Sequence, residues 1–351
     1  MRMTQIQEFE ARTASESVLR AYHEFSNQMY AEAWPEDQPA PIENTLGWLL
    51  NAPPMLDVKR WLAWDADRVV AYGELETWRA EDNQHLGFFE VNVLPAYRRQ
   101  GLGSQLLGQV AQEARLRNRV KLQAWVDGDS VSGQAWLAKL GGHLGLETHT
   151  NQLNLADVDR AMLRRWVERA EERAQGFVLE TLVGPFPERS LDEMAHLFNV
   201  MNDAPRGELD MEDEKMTPEH IREWDESLSR RGQERWHMHI RHLATGELAG
   251  YTETVWNPYR PDILHQWGTG VWPKYRNLGL GRWLKAAMLE KVRRERPGVK
   301  RVRTGNADSN GPMLKINYEL GFKPYKAWKT WQMEVEQVEQ ALNIQPQLTL
   351  A

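Results

Sequence analysis

The chain has 351 residues, enough for two domains of ordinary size, each with its own hydrophobic core. Its 50 acidic and 43 basic side chains give a formal net charge of -7, which argues against a nucleic-acid-binding scaffold. The lack of cysteine excludes disulfides, thiolate metal sites and a cysteine nucleophile; no apolar stretch suits a signal peptide or membrane span, so we expect a cytoplasmic protein with no membrane partner.

Hydrophobic periodicity and turn residues predict a mixed sequence of helices and strands, and the order occurs twice. In the N-terminal half we expect helices over 14–33 and 43–51, strands over 59–65, 68–78 and 86–94, a helix from Leu102, a strand over 120–126, a helix over 131–140 and a strand region to 155. In the C-terminal half we expect a strand over 176–183, helices over 188–202 and 217–231, strands over 235–242, 248–256 and 263–272, a helix from Leu280, a strand over 299–304, a helix over 311–320 and strands to 335. The predicted fold class is α/β, in the α+β sense of a mixed sheet flanked by helices. The predicted domains are 1–156 and 177–351, joined by a charged linker helix over 157–176 that ends at Gly176.

One glycine-rich turn occurs twice. The pattern V-x-P-x-Y-R-x-x-G-x-G, which runs from Val93 to Gly103, returns 178 residues later from Val271 to Gly281. A copy this faithful indicates two similar domains in tandem. In each copy a strand enters the turn and a helical pattern begins at once.

This turn is suited to bind a pyrophosphate. Glycine allows a sharp turn and close approach of the backbone, and the N–H groups at the start of a helix attract anions. Arg98 and Arg276 are expected to add positive charge at the rim. The predicted cradle comprises Val93, Arg98, Arg99, Gln100, Gly101, Leu102, Gly103 and Ser104, and in the second copy Val271, Arg276, Asn277, Leu278, Gly279, Leu280 and Gly281.

These turns resemble motif A of the GNAT superfamily of acetyl-CoA-dependent N-acyltransferases. In the second half, Asn306 and Asn310 precede a helix that closes in Leu-Gly-Phe at 320–322, which is similar to the superfamily's fifth strand and fourth helix. The resemblance covers nearly the entire chain and implies two tandem GNAT-like domains. It implies acetyl-CoA as cosubstrate, with its pyrophosphate on the turn, its pantetheine against the strand near Val271, and Asn306 and Asn310 among the cofactor-binding residues.

The resemblance also implies where proton-transfer residues should lie. The base, often a Glu, stands eight residues before the motif proline, and the acid, commonly a Tyr, stands four residues before the Gly of Gly-Phe. In the first domain these positions are Gly87 and Leu137, and Val126 and Ser130 stand where the second domain has its two asparagines. The first domain is therefore expected to be catalytically degenerate. Glu90 is either a replacement base or a surface carboxylate.

In the second domain the base position is His265, which titrates near neutral pH without a large shift. A hydrogen-bonded strand histidine is the alternative, and Glu253 is a second base candidate that would act through a water. The acid position is Asn317, which cannot donate a proton as an acid, although Tyr318 lies beside it, about 100° further around a helix.

Three other patterns bear on function. His237 and His239 would share a strand face, but no third ligand is in register, so we predict no metal. The carboxylates between 202 and 214 would either hold a cationic amine or form a solvated acidic loop. The dinucleotide motif G-x-G-x-x-G with a downstream acidic residue is absent, which argues against a dehydrogenase.

The sequence therefore predicts an acetyl-CoA-dependent N-acetyltransferase that transfers the acetyl group directly to a primary amine of a small molecule, with no nucleic-acid partner. The alternative is an acyl-CoA-binding sensor or pseudoenzyme without turnover. Neither the acceptor nor the oligomeric state follows from the sequence, because a fold does not fix its substrate.

Overall fold

A computed structural model describes residues 4–344, apart from the side chain of Glu171. Residues 1–3 of the first predicted domain and residues 345–351 of the second lie outside this range. The strands are β1 Gln5–Glu8, β2 Leu56–Asp65, β3 Arg68–Trp78, β4 Leu86–Val93, β5 Lys121–Asp127, β6 His143–Asn154, β7 Phe177–Val183, β8 Glu234–His242, β9 Leu248–Trp256, β10 Ile263–Val271, β11 Arg301–Ala307 and β12 Lys323–Glu334. The helices are α1 Glu16–Ala33, α2 Ile42–Leu50, α3 Leu102–Leu116, α4 Val131–Lys139, α5 Arg160–Arg173, α6 Leu191–Phe198, α7 Pro218–Arg230, α8 Leu280–Glu295, α9 Gly311–Leu320 and α10 Val335–Ala341.

The first compact unit contains residues 4–147, 207–212 and 328–344 of the described chain. Its strands lie in the order β1-β2-β3-β4-β5-β12, and only β4 and β5 are parallel neighbours. Helices cover both faces of the sheet: Gly73 packs toward Leu106 of α3, while Tyr72 contacts Tyr22 of α1 at 5.2 Å between ring centroids. Successive residues of a strand point to opposite faces, so the hydrophobic core is divided into two layers.

The second unit contains residues 148–206 and 213–327 and repeats this plan. Its strands lie in the order β6-β11-β10-β9-β8-β7, again with one parallel pair, β10 and β11. Helix α8 packs on one face, where Thr254 contacts Met288, and α6 and α7 pack on the other. The predicted linker helix is α5, and its buried Leu163 and Ala170 belong to the core of this unit.

Each unit takes its last strand from the other half of the sequence. Residues 328–334 of β12 pair antiparallel with β5, and residues 148–154 of β6 pair antiparallel with β11. The compact units are therefore not the contiguous domains 1–156 and 177–351 that the sequence suggests. The physical reason is that β5 and β11 each pair with a parallel strand on one side only. On the other side, an antiparallel strand from either repeat can satisfy the backbone groups of β5 or β11.

The element predictions hold for most of the chain, with β3, β9 and α9 at the predicted bounds. Strand β1 and helix α10 are not among the predicted elements, and the predicted helix over 188–202 is α6 between two 3₁₀ turns. No helix within residues 4–344 is long and apolar enough to cross a bilayer.

Candidate active site

The parallel strands separate in each repeat. Pairing between β10 and β11 joins Ile263–Gln266 to Arg301–Thr304, although β10 continues to Val271 and β11 to Ala307. In the first repeat, pairing of β4 with β5 runs from Leu86 to Phe88, although β4 continues to Val93. Beyond these points the two parallel strands of each repeat are no longer paired, and we call the gap between them the wedge. The unpaired strand edge along the wedge can bind an extended ligand through its backbone groups.

The glycine turn lies at the start of the helix that follows the wedge. Gly279 precedes α8 with φ +85°, and Gly101 precedes α3 with φ +87°; Asn277 and Arg99 are also left-handed, at φ +66° and +62°. The first-turn amides of a helix have no intrahelical acceptor, and neither of these helices has a side-chain cap to accept from them. A Cβ on Gly279 would meet no atom within 4 Å, which leaves open space above these amides. Both turns therefore have the geometry of an anion-binding nest.

Both motif arginines make contacts within the protein. Arg276 donates from Nε to the Val271 carbonyl at 2.9 Å and from Nη2 to Asp203 at 2.8 Å. Arg98 makes the same strand-end contact with Val93 at 2.9 Å and pairs with Glu32. Each arginine therefore braces its turn, and a carboxylate balances its charge.

The other predicted cradle residues lie in the turns or in the first turn of the helix, namely Gln100, Leu102, Gly103 and Ser104 in the first repeat and Leu278, Leu280 and Gly281 in the second. Ser104 Oγ accepts a hydrogen bond from Trp136 of α4 at 3.3 Å. A Cβ on Gly281 would lie 3.3 Å from Ile316 of α9, so this glycine allows α8 and α9 to pack closely.

Glu253 and His265 lie on the face of the second sheet opposite α8. His265 is half-buried and directly opposite Val255 in the β9–β10 register, which makes Glu253 its diagonal neighbour. Glu253 faces a β-bulge between Gln266 and Thr269, and its carbonyl accepts from Gln266 Nε2 at 2.7 Å. The structure therefore brings the two base candidates together beside the point where the wedge begins.

The environment of Glu253 favours a base that titrates near neutrality. Its side chain is buried, with Oε1 3.1 Å from Arg235 Nε, and Arg235 also lies 2.5 Å from Asp225. Burial raises the pKa of Glu253 to about 7; Arg235 opposes this shift and Asp225 adds to it. A carboxyl group with this pKa exchanges protons readily at physiological pH.

The predicted acid positions differ in exposure. Tyr318 lies on the outer face of α9, with 48% of its surface exposed, whereas Asn317 is buried. Asn317 donates to Asn306 Oδ1 at 2.7 Å and accepts from Lys285 Nζ at 2.6 Å. Asn310 caps α9, accepting from the Met313 amide at 3.3 Å.

Sequence reasoning missed Lys285. It is 2% exposed in an otherwise apolar part of α8, and burial lowers its pKa to about 7. A comparison of the two repeats could have found it, because the first repeat has Leu107 at the position of Lys285.

The first repeat carries carboxylates at its sheet face. Gly87 and Leu137 are buried and cannot transfer protons, but Glu90 lies opposite Glu74 in the strand register and is accessible to solvent. Although part of its side chain reaches solvent, desolvation by the surrounding protein, followed by the charge of Glu74, raises the pKa of Glu90 to about 7. Sequence reasoning missed Glu74, which pairs with Arg60 at 2.6 Å.

The acidic loop of the second half is engaged in internal contacts. Asp203 pairs with Arg276 at 2.8 Å and Asp213 with Arg206 at 2.6 Å. Farther along, Asp210 pairs with Lys121, and Glu212 accepts from the Asn83 amide at 2.8 Å. Four of these carboxylates therefore anchor the loop, which argues against its use as a cation site.

The strand histidines also have structural surroundings. His237 is buried and stacks on Tyr251 with ring centroids 5.3 Å apart, and burial holds its pKa well below the usual value. His239 Nε2 lies 2.7 Å from Glu180. In the part of the chain that the structure describes, no three or more His, Asp or Glu side chains form a metal-binding group.

A splayed parallel strand pair followed by an uncapped glycine turn, built twice, defines a tandem acyltransferase architecture. The sequence matches the acetyltransferase (GNAT) family over residues 19–141 and 194–322, with one match in each repeat. The chain belongs to this family and is an acetyltransferase with two GNAT repeats, so the predicted family and fold class are confirmed. No curated protein matches the sequence significantly.

Solved structures share the fold over almost the whole chain. A tandem GNAT protein from the clavulanic acid biosynthesis pathway, solved without acetyl-CoA, is 25% identical with a TM-score of 0.77, over 95% of this chain and 99% of that one. A GCN5-related N-acetyltransferase from Sphaerobacter thermophilus is 14% identical with a TM-score of 0.61, over 95% and 96%. A putative acetyltransferase from Pyrococcus horikoshii is 14% identical with a TM-score of 0.52, over 94% and 89%. The last two similarities concern the fold alone.

Proposed function

We propose that the second repeat transfers the acetyl group of acetyl-CoA directly to a primary amine of a small molecule. The observation that carries this proposal is the position of Glu253 and His265 beside the open end of the β10–β11 wedge, on the face opposite α8. A cofactor entering along α8 and an acceptor entering from the opposite face would meet there. The tandem relative supports a small-molecule acceptor, because it is a protein from the clavulanic acid biosynthesis pathway.

The proposed chemistry assigns each step to residues of this chain. The amides of 278–281 hold the pyrophosphate, and the β10 edge near Val271 pairs with the pantetheine arm, which fixes the thioester in the wedge. Glu253, directly or through a water, accepts a proton from the amine as its nitrogen forms a bond to the thioester carbonyl carbon. Collapse of the tetrahedral intermediate breaks the C–S bond and releases CoA thiolate, a tolerable leaving group because the pKa of a thiol is about 8.5.

The first repeat is proposed to bind acetyl-CoA without turnover. It keeps the wedge and both left-handed turn residues, whereas Gly87 and Leu137 occupy its base and acid positions. Affinities of the two repeats should differ, because Asn306 and Asn310 correspond to Val126 and Ser130.

A panel of small primary amines, cationic ones included, tests the proposal through release of free CoA from acetyl-CoA. Calorimetry with acetyl-CoA measures binding in parallel. Turnover of one amine above the hydrolysis background supports the transferase, whereas binding without turnover across the panel favours an acyl-CoA sensor. No binding of acetyl-CoA at all overturns both functions.

A further inference from the structure

A chain of buried polar side chains links α8 to the β10–β11 wedge in the second repeat. Lys285 Nζ donates to Asn317 Oδ1 at 2.6 Å, and Asn317 Nδ2 donates to Asn306 Oδ1 at 2.7 Å. Asn306 lies on β11 two residues beyond Thr304, the last residue paired with β10. The chain of hydrogen bonds therefore ends where the wedge opens.

Lys285 is an unusual residue for this place. Its ammonium is 5.5 Å from the Phe322 ring, and no ion pair within residues 4–344 includes it. A buried amine without a carboxylate partner opposes folding, so packing alone does not account for its presence.

The first repeat shows that the fold does not need this polar chain. Its equivalent positions are Leu107, Val126 and Leu137, which pack in the hydrophobic core of the first unit. Both repeats form the same strand pair, turn and helices. The polar side chains therefore serve something that only the second repeat does.

The donor chemistry of Lys285 fixes the orientation of both amides. Lys285 Nζ donates to Asn317 Oδ1; the charged form can only donate, and the neutral amine keeps an N–H for the same bond, so Nδ2 of Asn317 faces Asn306. Asn306 in turn presents Oδ1, which accepts from Asn317 Nδ2 at 2.7 Å and, more weakly, from Asn151 Nδ2 at 3.5 Å. Its own Nδ2 is left as a donor, and no hydrogen bond among the described residues uses it. The half-buried Asn306 thus offers an N–H donor with a set orientation at the wedge.

We propose that Lys285 is a positioning residue that holds Asn306 Nδ2 ready to donate to a carbonyl oxygen of the acyl-pantetheine arm of bound acetyl-CoA. This inference rests on the proposed function of the second repeat. Lys285 does not touch the cofactor and acts through Asn317. Its effect is to prevent Asn306 from turning its oxygen toward the ligand's carbonyl.

Asn317→Asp tests this arrangement because it reverses the orientation of Asn306. The new carboxylate keeps an acceptor for Lys285, so the buried amine gains an ion-pair partner, but it cannot donate to Asn306. Asn306 must then turn Nδ2 toward position 317 and present Oδ1 to the wedge. We expect affinity for acetyl-CoA to fall roughly 10-fold while thermal stability is kept, since one hydrogen bond is lost and two carbonyl oxygens meet.

Calorimetry in a Gly101→Asp background confines the measurement to the second repeat, with acetyl-CoA and 3′,5′-ADP as the two probes. 3′,5′-ADP lacks the pantetheine arm, so its affinity should stay the same in Asn317→Asp. A fall for both probes, or for neither, overturns the role of Lys285 and Asn317. If the parent with Gly101→Asp binds neither probe, the proposed cofactor site of the second repeat is wrong instead.

The triple variant Lys285→Leu, Asn306→Val, Asn317→Leu guards against misfolding. It installs the side chains of the first repeat, which pack in an identical arrangement of elements. We expect a folded protein with the same selective loss of acetyl-CoA affinity. Unchanged affinity for acetyl-CoA in this variant would contradict the proposal.

Discussion

At the scale of single residues, Glu253 is the group whose surroundings best suit the proposed chemistry. Its pKa is raised to about 7 by burial, even though Arg235 lies 3.1 Å away. The neighbouring His265 occupies the position that the resemblance implies for the base, so the structure places two candidates on one sheet face. Their roles can be separated by pH dependence.

We predict that kcat/KM rises with pH through an apparent pKa near 7, because Glu253 must lose its proton before it can accept one from the amine. Glu253→Gln should flatten this limb and lower the rate at neutral pH about 10²-fold, and His265→Ala should have a smaller effect. Initial rates of CoA release between pH 5.5 and 9, recorded for wild type and the two variants, measure these effects.

Glu90→Gln is the matched control, since the pKa of Glu90 is also raised to about 7 but in the first repeat. It should leave the profile unchanged. If His265→Ala lowered kcat/KM strongly and Glu253→Gln hardly changed it, the base would be His265. A strong loss of kcat/KM in Glu90→Gln would assign catalysis to the first repeat.

Lys285 gives a second residue-scale prediction, this time for stability. Burial lowers its pKa from 10.5 to about 7, so between these values the unfolded chain binds more protons than the folded chain. The free energy of unfolding should therefore rise with pH across this window. Chemical denaturation between pH 7 and 10 should show wild type gaining stability relative to Lys285→Met. Lys315→Met, on the exposed side of α9, is the control for loss of a lysine side chain, and parallel pH curves for wild type and Lys285→Met would contradict the prediction.

At the scale of elements, both repeats share the strand–turn–helix segment to which we assign cofactor binding. Gly279 and Gly101 have nearly the same φ, and a Cβ on either meets little: nothing within 4 Å at Gly279 and only Gln105 at 3.6 Å at Gly101. Substitution at either site therefore carries a similar backbone cost, on the order of 1–2 kcal/mol. The pair is a matched probe of the two cradles.

We predict that Gly279→Asp abolishes most turnover, because a carboxylate would stand over the amides that hold the pyrophosphate. Gly101→Asp should leave turnover largely intact while removing any acetyl-CoA bound by the first repeat. The midpoint temperature of thermal unfolding should fall by the same amount in both variants. Loss of turnover in a folded Gly101→Asp protein would assign catalysis to the first repeat.

At the scale of the whole molecule, the exchanged strands make the two halves of the sequence depend on each other. The residues from β12 onward supply Trp331, Met333, Val335 and Val338 to the core of the first unit. In return β6 supplies Leu153 to the core of the second unit, where α5 also packs. Neither half of the chain therefore contains a complete hydrophobic core.

We predict that fragments 1–175 and 176–351, expressed separately, are insoluble or unfolded, because each exposes a strand edge and core residues. Co-expression of the two, with a tag on one, should yield a co-purifying complex that binds acetyl-CoA. Circular dichroism and calorimetry report folding and binding. A soluble, cooperatively folded fragment 1–175 on its own would show that β12 is dispensable.

Local pattern was sufficient for what depends on near neighbours in the chain. Periodicity predicted β3, β9 and α9, and the repeated glycine motif located the two left-handed turns and indicated the family, because turn geometry is set by a few consecutive residues. The ion pairs of the motif arginines were not predicted, since their carboxylate partners Glu32 and Asp203 are 66 and 73 residues away.

The sequence by itself thus determined the family, the two repeats and the placement of the glycine turns, all of which follow from local backbone requirements. Only the tertiary structure decided the strand exchange, the raised pKa of Glu253 and the buried chain from Lys285 to Asn306. Pairing of a sheet edge, desolvation of a carboxyl group and orientation of an amide all depend on atoms that are distant in the chain. These interactions form only when the fold brings those atoms together.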